Sequence, residues 1–117
     1  MAIATRDTIL GAYDNETRDI DGKGWGTLRI RTMSAAERLM LTKKYQTETL
    51  TNDQAAAFYC ELIAMCLVGE DGRRLFDTNG DIEVLQTRDW KLIELVVGEI
   101  LAFNGLAENS VEEMAKN

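Results

Sequence analysis

Apolar and polar positions change period several times along the chain, and each change marks a predicted element. Thr5–Ala12 reads as a short helix, with Thr5 as N-cap, Asp7 in the first turn and Ile9, Leu10 and Ala12 as apolar contacts. Asp14-Asn15 stops it. Thr17–Asp21 and Gly26–Thr32 then read as two strands of a hairpin around the turn Gly22-Lys23-Gly24. In the second strand Leu28 and Ile30 alternate with Thr27, Arg29 and Arg31, the period of a half-buried strand.

Helix signals follow. Ser34-Ala35-Ala36-Glu37 is a capping box and predicts a helix to about Glu48, with Leu39, Met40 and Tyr45 available to the core. Thr51-Asn52-Asp53-Gln54 repeats the signal and opens Ala55–Val68, in which Glu61 is the sole charged residue. A helix apolar all round is buried on more than one side, so this one is either the central core helix or half core and half interface. Asp71-Gly72 marks a turn, Arg73–Phe76 a short extended stretch and Asp81–Leu85 a single helical turn. Thr87 is expected to cap a helix running to Phe103, with Asp89 in its first turn. Its inner stripe is Trp90, Ile93, Val97, Ile100 and Leu101, and its narrow polar stripe is Lys91, Glu94 and Gly98. Leu92, Leu95, Val96 and Phe103 remain, more apolar surface than a one-sided helix requires. Asn104-Gly105 is a helix stop, and Ser110–Glu113 caps a last short helix expected to fray.

With 117 residues the natural reading is one domain, 1–117: helix and hairpin over 1–33, helical core over 34–105, short C-terminal helix over 106–117. Scaling gives a folded surface of roughly 6,400 Å² against roughly 19,000 Å² for the extended chain, enough burial for one core. The expected fold class is α+β and predominantly helical: a short N-terminal helix and β-hairpin followed by a small helical bundle. Hydrophobic residues are 45% and charged residues 28%, an ordinary globular balance that argues against a disordered chain.

Charge narrows the partners. The net charge is −7, and residues 70–117 alone carry 11 acidic and 5 basic residues. Nucleic-acid binding requires a basic stripe, and none is visible; an anionic membrane surface would repel the acidic half. Neither nucleic acid nor membrane is an expected partner. Met1–Leu10 carries no apolar run of signal-peptide type, and the longest apolar run, Leu62–Val68, is far short of a membrane span.

Candidate chemistry is sparse. The chain has no histidine, which removes Ser–His and Cys–His systems and the commonest metal ligand. Cys60 and Cys66 have no zinc-site spacing and read as buried free thiols of a reducing compartment. Asp77–Asp81 begins like a calcium loop, but the sixth and twelfth places hold Ile82 and Arg88. Asp19–Gly24 has a lysine at a ligand position, and Gly22–Gly26 precedes a strand where a phosphate cradle opens a helix. No catalytic, metal or cofactor-binding residues are assigned, and no enzyme activity is expected. Glu61 has two readings, a solvent-facing stripe one residue wide, which the pattern favours, or a buried and paired acid. Trp25 and Trp90 likewise have two readings, core packing, which the pattern favours, or interface anchors.

Taken in order, these landmarks resemble the tail assembly chaperones of long-tailed (siphovirus-type) bacteriophages. The resemblance runs from Arg6-Asp7-Thr8-Ile9-Leu10 through Trp25-Gly26 and Leu28–Arg31 into Ser34-Ala35-Ala36-Glu37-Arg38. It resumes at Val68–Phe76 and Asp81–Leu85 and closes on Leu101–Leu106 and an acidic tail ending Lys116-Asn117. Two positions depart from the family pattern. Gly24 replaces the usual proline before the Trp-Gly strand, and Trp90 stands where a smaller residue is expected.

The resemblance implies a non-enzymatic protein of the infected cell's cytoplasm, absent from the mature virion. It would bind the tape measure protein, keep it soluble and promote polymerisation of tail-tube protein around it. Self-association and a longer frameshift product, switching near Lys116-Asn117, are further family properties. Partner contact is expected on the Ala55–Val68 and Thr87–Phe103 helices, with Phe58, Tyr59, Leu62, Trp90 and Phe103 as candidate anchors, some of them core. Rival readings are a tail-completion or connector subunit retained in the virion, a small enzyme, and an acidic nucleic-acid mimic directed at the host.

Overall fold

The computed structural model describes residues 2–11, 16–45, 51–76 and 80–106. Among them the order is α1 (Arg6–Gly11), β1 (Thr17–Asp21), a 3₁₀ turn (Lys23–Trp25), β2 (Thr27–Arg31), α2 (Ala35–Lys44), α3 (Asn52–Cys66), β3 (Leu67–Val68), α4 (Gly80–Leu85) and α5 (Trp90–Phe103). The fold is α+β and mostly helical, with one antiparallel sheet in the order β1-β2-β3. The expected helix over Gln46–Glu48, Ala12, the Asp14-Asn15 stop, Asp77–Asn79 and the C-terminal helix at Ser110–Glu113 lie outside the described residues.

The hairpin forms as its alternation predicts, with Ile20 opposite Leu28 and Arg18 opposite Ile30. Ile20, Leu28 and Ile30 face the core. On the opposite face Asp19 receives both arms of the Arg29 guanidinium, at 2.7 and 3.1 Å. The turn demands glycine at position 22, where a Cβ would stand 2.5 Å from the Gly26 carbonyl oxygen and 2.7 Å from Leu28.

Both capping boxes are present. Ser34 and Glu37 exchange side-chain-to-backbone bonds at the start of α2, as do Thr51 and Gln54 at the start of α3. On α2 the inward residues are Leu41 and Tyr45, one turn apart. Leu39 and Met40, expected in the core, point outward at 55% and 47% exposure, because they lie off the Leu41–Tyr45 face. α1 also departs from expectation. Thr5 Oγ accepts from the Thr8 amide, yet Ile9 and Leu10 are 62% and 66% exposed and the helix buries no residue. A helix of a turn and a half has no hold on the core unless an element covers it.

α3 is the central helix: Phe58 and every residue from Cys60 to Cys66 are buried. It ends at Cys66, two residues earlier than the apolar run predicts. Leu67 and Val68 pair instead with Ile30 and Arg29 as the third strand. A continuous apolar run carries no period, so strand pairing with the open edge of β2 decides its conformation. α5 packs along α3 and touches β2, burying Ile93, Val96, Val97, Ile100 and Leu101.

The cap of α5 is Asp89, whose carboxylate accepts from the Lys91 and Leu92 amides, and not Thr87, whose hydroxyl donates to the Val84 carbonyl. At the far end Gly105 has φ +75°, its amide bonds Ala102 O, and the Leu106 amide reaches Leu101 O at 2.7 Å. This is a Schellman stop, and Leu106 and Leu101 are both buried. Asn104 ties that end to the β2–α2 joint, accepting from the Met33 amide at 2.7 Å.

Candidate functional site

Two ionic clusters hold the elements in place. The Arg31 guanidinium forks onto Glu37 at 2.7 and 3.0 Å, and Arg74 reaches the same carboxylate at 3.3 Å. Hydrogen bonding from Arg31 outweighs partial burial and holds the Glu37 carboxyl down at about 2. Glu37 thus joins the sheet, α2 and the turn after β3.

Glu61 is the second cluster, and the favoured solvent-stripe reading is overturned: the residue is only 7% exposed. Its two oxygens accept from Lys44 Nζ at 2.8 Å and from the Tyr45 hydroxyl at 2.5 Å. Burial and the bond to Glu61 push the Tyr45 phenol upward. Cys60 and Cys66 are buried free thiols, and burial raises both, Cys66 to about 12.

From this cluster a line of rings runs outward. Tyr45 meets Phe58 edge-on at 4.9 Å, Phe58 lies 6.1 Å from Tyr59, and Tyr59 stacks on Trp90 at 5.4 Å with 20° between planes. The line starts in the core and ends at Trp90, which is 46% exposed and so leaves the inner stripe on which periodicity placed it, its position there being taken by Val96. The five candidate anchors therefore separate. Phe58 and Leu62, at 1% and 0% exposure, are core residues that offer no surface to a partner. Tyr59 and Trp90 come together at the α3–α5 seam. Phe103 is half-buried elsewhere, under the Arg18 guanidinium at 4.4 Å from its ring. Trp25 packs half-buried against the core.

Beside the Tyr59–Trp90 stack lies an open hollow of about 270 Å³ lined by Tyr59, Glu94, Val97, Gly98 and Leu101. A wider trough of about 570 Å³ continues along the outer face of α5, past Lys91, Leu95, Glu99, Ala102 and Leu106. Glu94 and Gly98 line both. Periodicity places Lys91, Glu94 and Gly98 on a polar stripe; packing makes Glu94 and Gly98 the shared border of two hollows. The sequence signal for this was Gly98 one turn after Glu94. A third hollow, of about 400 Å³, lies between Met33, Arg38, Leu39 and Asn104.

Among the described residues no three His, Cys, Asp or Glu side chains are grouped to hold a metal ion, and no helix is long and apolar enough to cross a membrane. Comparison with protein-family models, curated proteins and solved structures returns no match.

Proposed function

We propose that this chain is a non-enzymatic tail assembly chaperone of a long-tailed bacteriophage. It acts in the cytoplasm of the infected cell, binds the tape measure protein, keeps it soluble and promotes tail-tube polymerisation around it. The reading rests on the ordered landmarks from Arg6 to Leu106 and on one structural observation. The α3–α5 seam presents a partly exposed aromatic stack, Tyr59 on Trp90, beside a hollow lined by Val97 and Leu101 together with Glu94. Partly exposed aromatic side chains are what helix-binding surfaces use as anchors. The acidic second half keeps a complex with an apolar client soluble.

The test is co-expression with the tape measure protein of the same phage. Wild-type chain is expected to bring the client into the soluble fraction as a co-purifying complex, and Trp90→Ala to lower that yield while keeping its fold. A client equally soluble without the chain overturns the reading. Detection of the chain at stoichiometric level in purified virions replaces it with the tail-completion role.

A further inference from the structure

We propose that Trp90, Tyr59 and Glu94 form a recognition site for a Lys or Arg side chain at the border of a partner helix's apolar face. The proposal rests on the chaperone reading and specifies the chemistry of the segment bound. One face of the Trp90 indole is taken by Tyr59, stacked at 5.4 Å, and the residue is still 46% exposed. An indole face is the best side-chain platform for a cation. Glu94 stands one turn further along α5, is exposed, and enters no salt bridge among the described residues. A cation seated on Trp90 can reach its carboxylate and gain a charge-assisted bond. The chain already uses this chemistry internally, where Arg18 sits 4.4 Å above the Phe103 ring.

Size and charge identify the occupant. The hollow of about 270 Å³ is open and has room for individual side chains. It opens into the trough along α5, where nothing stands within 4 Å of the Cβ position of Gly98, so a helix can approach closely. Leu95, Ala102 and Leu106 are the trough's apolar lining. Its charged border is Glu94 and Glu99 against Lys91 alone, on the half of the chain that carries net −6. The complementary partner is an amphipathic helix with cationic flanks; an acidic helix or a phosphate backbone is repelled.

The experiment uses the full chain carrying Trp25→Phe, so that Trp90 is the only indole, with circular dichroism to verify each fold. The probes are a Leu/Ala-rich amphipathic peptide bearing Arg beside its apolar face and the same peptide with Glu in place of Arg. The Arg peptide is expected to change Trp90 emission saturably and to bind at least about tenfold tighter than the Glu peptide. Glu94→Lys should reverse that preference, and Glu94→Gln should narrow it, weakening the Arg peptide and strengthening the Glu peptide. Equal affinity for both peptides, no binding of either, or indifference to Glu94→Lys overturns the proposal. So does a dimer of the chain itself that Trp90→Leu abolishes, since a second copy would then be the occupant. If Glu94→Lys still solubilises the tape measure protein fully, the chaperone reading stands and this site falls. If the chain binds the peptides charge-selectively but leaves the tape measure protein insoluble, the site stands and the chaperone reading falls.

Discussion

Glu61 shows how one buried acid is made tolerable. An isolated carboxylate at 7% exposure would be costly, but Lys44 neutralises one oxygen and Tyr45 donates to the other. Lys44 is itself 55% exposed, so water can replace it. Glu61→Ala, which orphans the buried Tyr45 hydroxyl, should therefore cost about 2–3 kcal/mol, Tyr45→Phe about 1–2 and Lys44→Ala about 1 or less. Urea unfolding of the three variants checks that order. Glu37 makes stability depend on pH. Its carboxyl lies at about 2 in the fold against an ordinary 4.5, so its ionised form stabilises the fold above about pH 4.5. That contribution fades as pH falls toward 2. The stability difference between wild type and Glu37→Gln should be constant above about pH 5 and shrink steadily below it, read by unfolding at a series of pH values.

Among the elements, those announced by side chains within a turn of their ends form where the sequence places them. Ser34 with Glu37 and Thr51 with Gln54 start α2 and α3, and Gly105 stops α5. The start of α5 offers two acceptable caps two residues apart, and local chemistry cannot choose between them. The fold uses Asp89, while Thr87 is spent closing the turn after α4. Asp89→Ala is expected to lower stability by about 1 kcal/mol. Thr87→Ala should cost less, because its exposed hydroxyl caps nothing; thermal unfolding of the pair decides it. The end of α3 is the opposite case. Nothing in Met65-Cys66-Leu67-Val68 marks a boundary, and the helix stops there because β2 offers a strand edge to Leu67 and Val68. Ile9 and Leu10 of α1 are apolar without becoming core, since no described element covers them.

On the scale of the whole molecule, the surplus apolar surface of α3 and α5 divides between interior and seam. Phe58 and Leu62 belong to the core, whereas Tyr59 and Trp90 stack at the α3–α5 seam with Trp90 partly in water. Stability and partner binding should separate accordingly. Phe58→Ala is expected to cost about 3–5 kcal/mol by leaving a cavity. Trp90→Ala should lose about 1–2 kcal/mol, since nearly half of the residue is already in water. Chemical denaturation beside the client-solubility assay distinguishes the two. A Trp90 variant that loses stability as heavily as the Phe58 variant would make the indole a core residue. The placement of Trp90 against Tyr59 is thus the feature that gives this chain its exposed aromatic surface at the seam.

The order of residues is enough to read the α+β class, the hairpin with its alternating inner face, both capping boxes, the α5 stop and the net acidity of the second half. Each is encoded within a few residues or in composition, and needs no distant partner to be read. Packing was needed to bury Glu61, to make Leu67-Val68 a strand, to turn Leu39 and Met40 outward, and to bring Tyr59, Trp90 and Glu94 to one seam. Periodicity measures how much apolar surface an element carries. Which part of it is covered depends on the geometry of neighbours far away in the chain, and an acid among apolar residues is buried only when, as here, Lys44 and Tyr45 arrive to hold it.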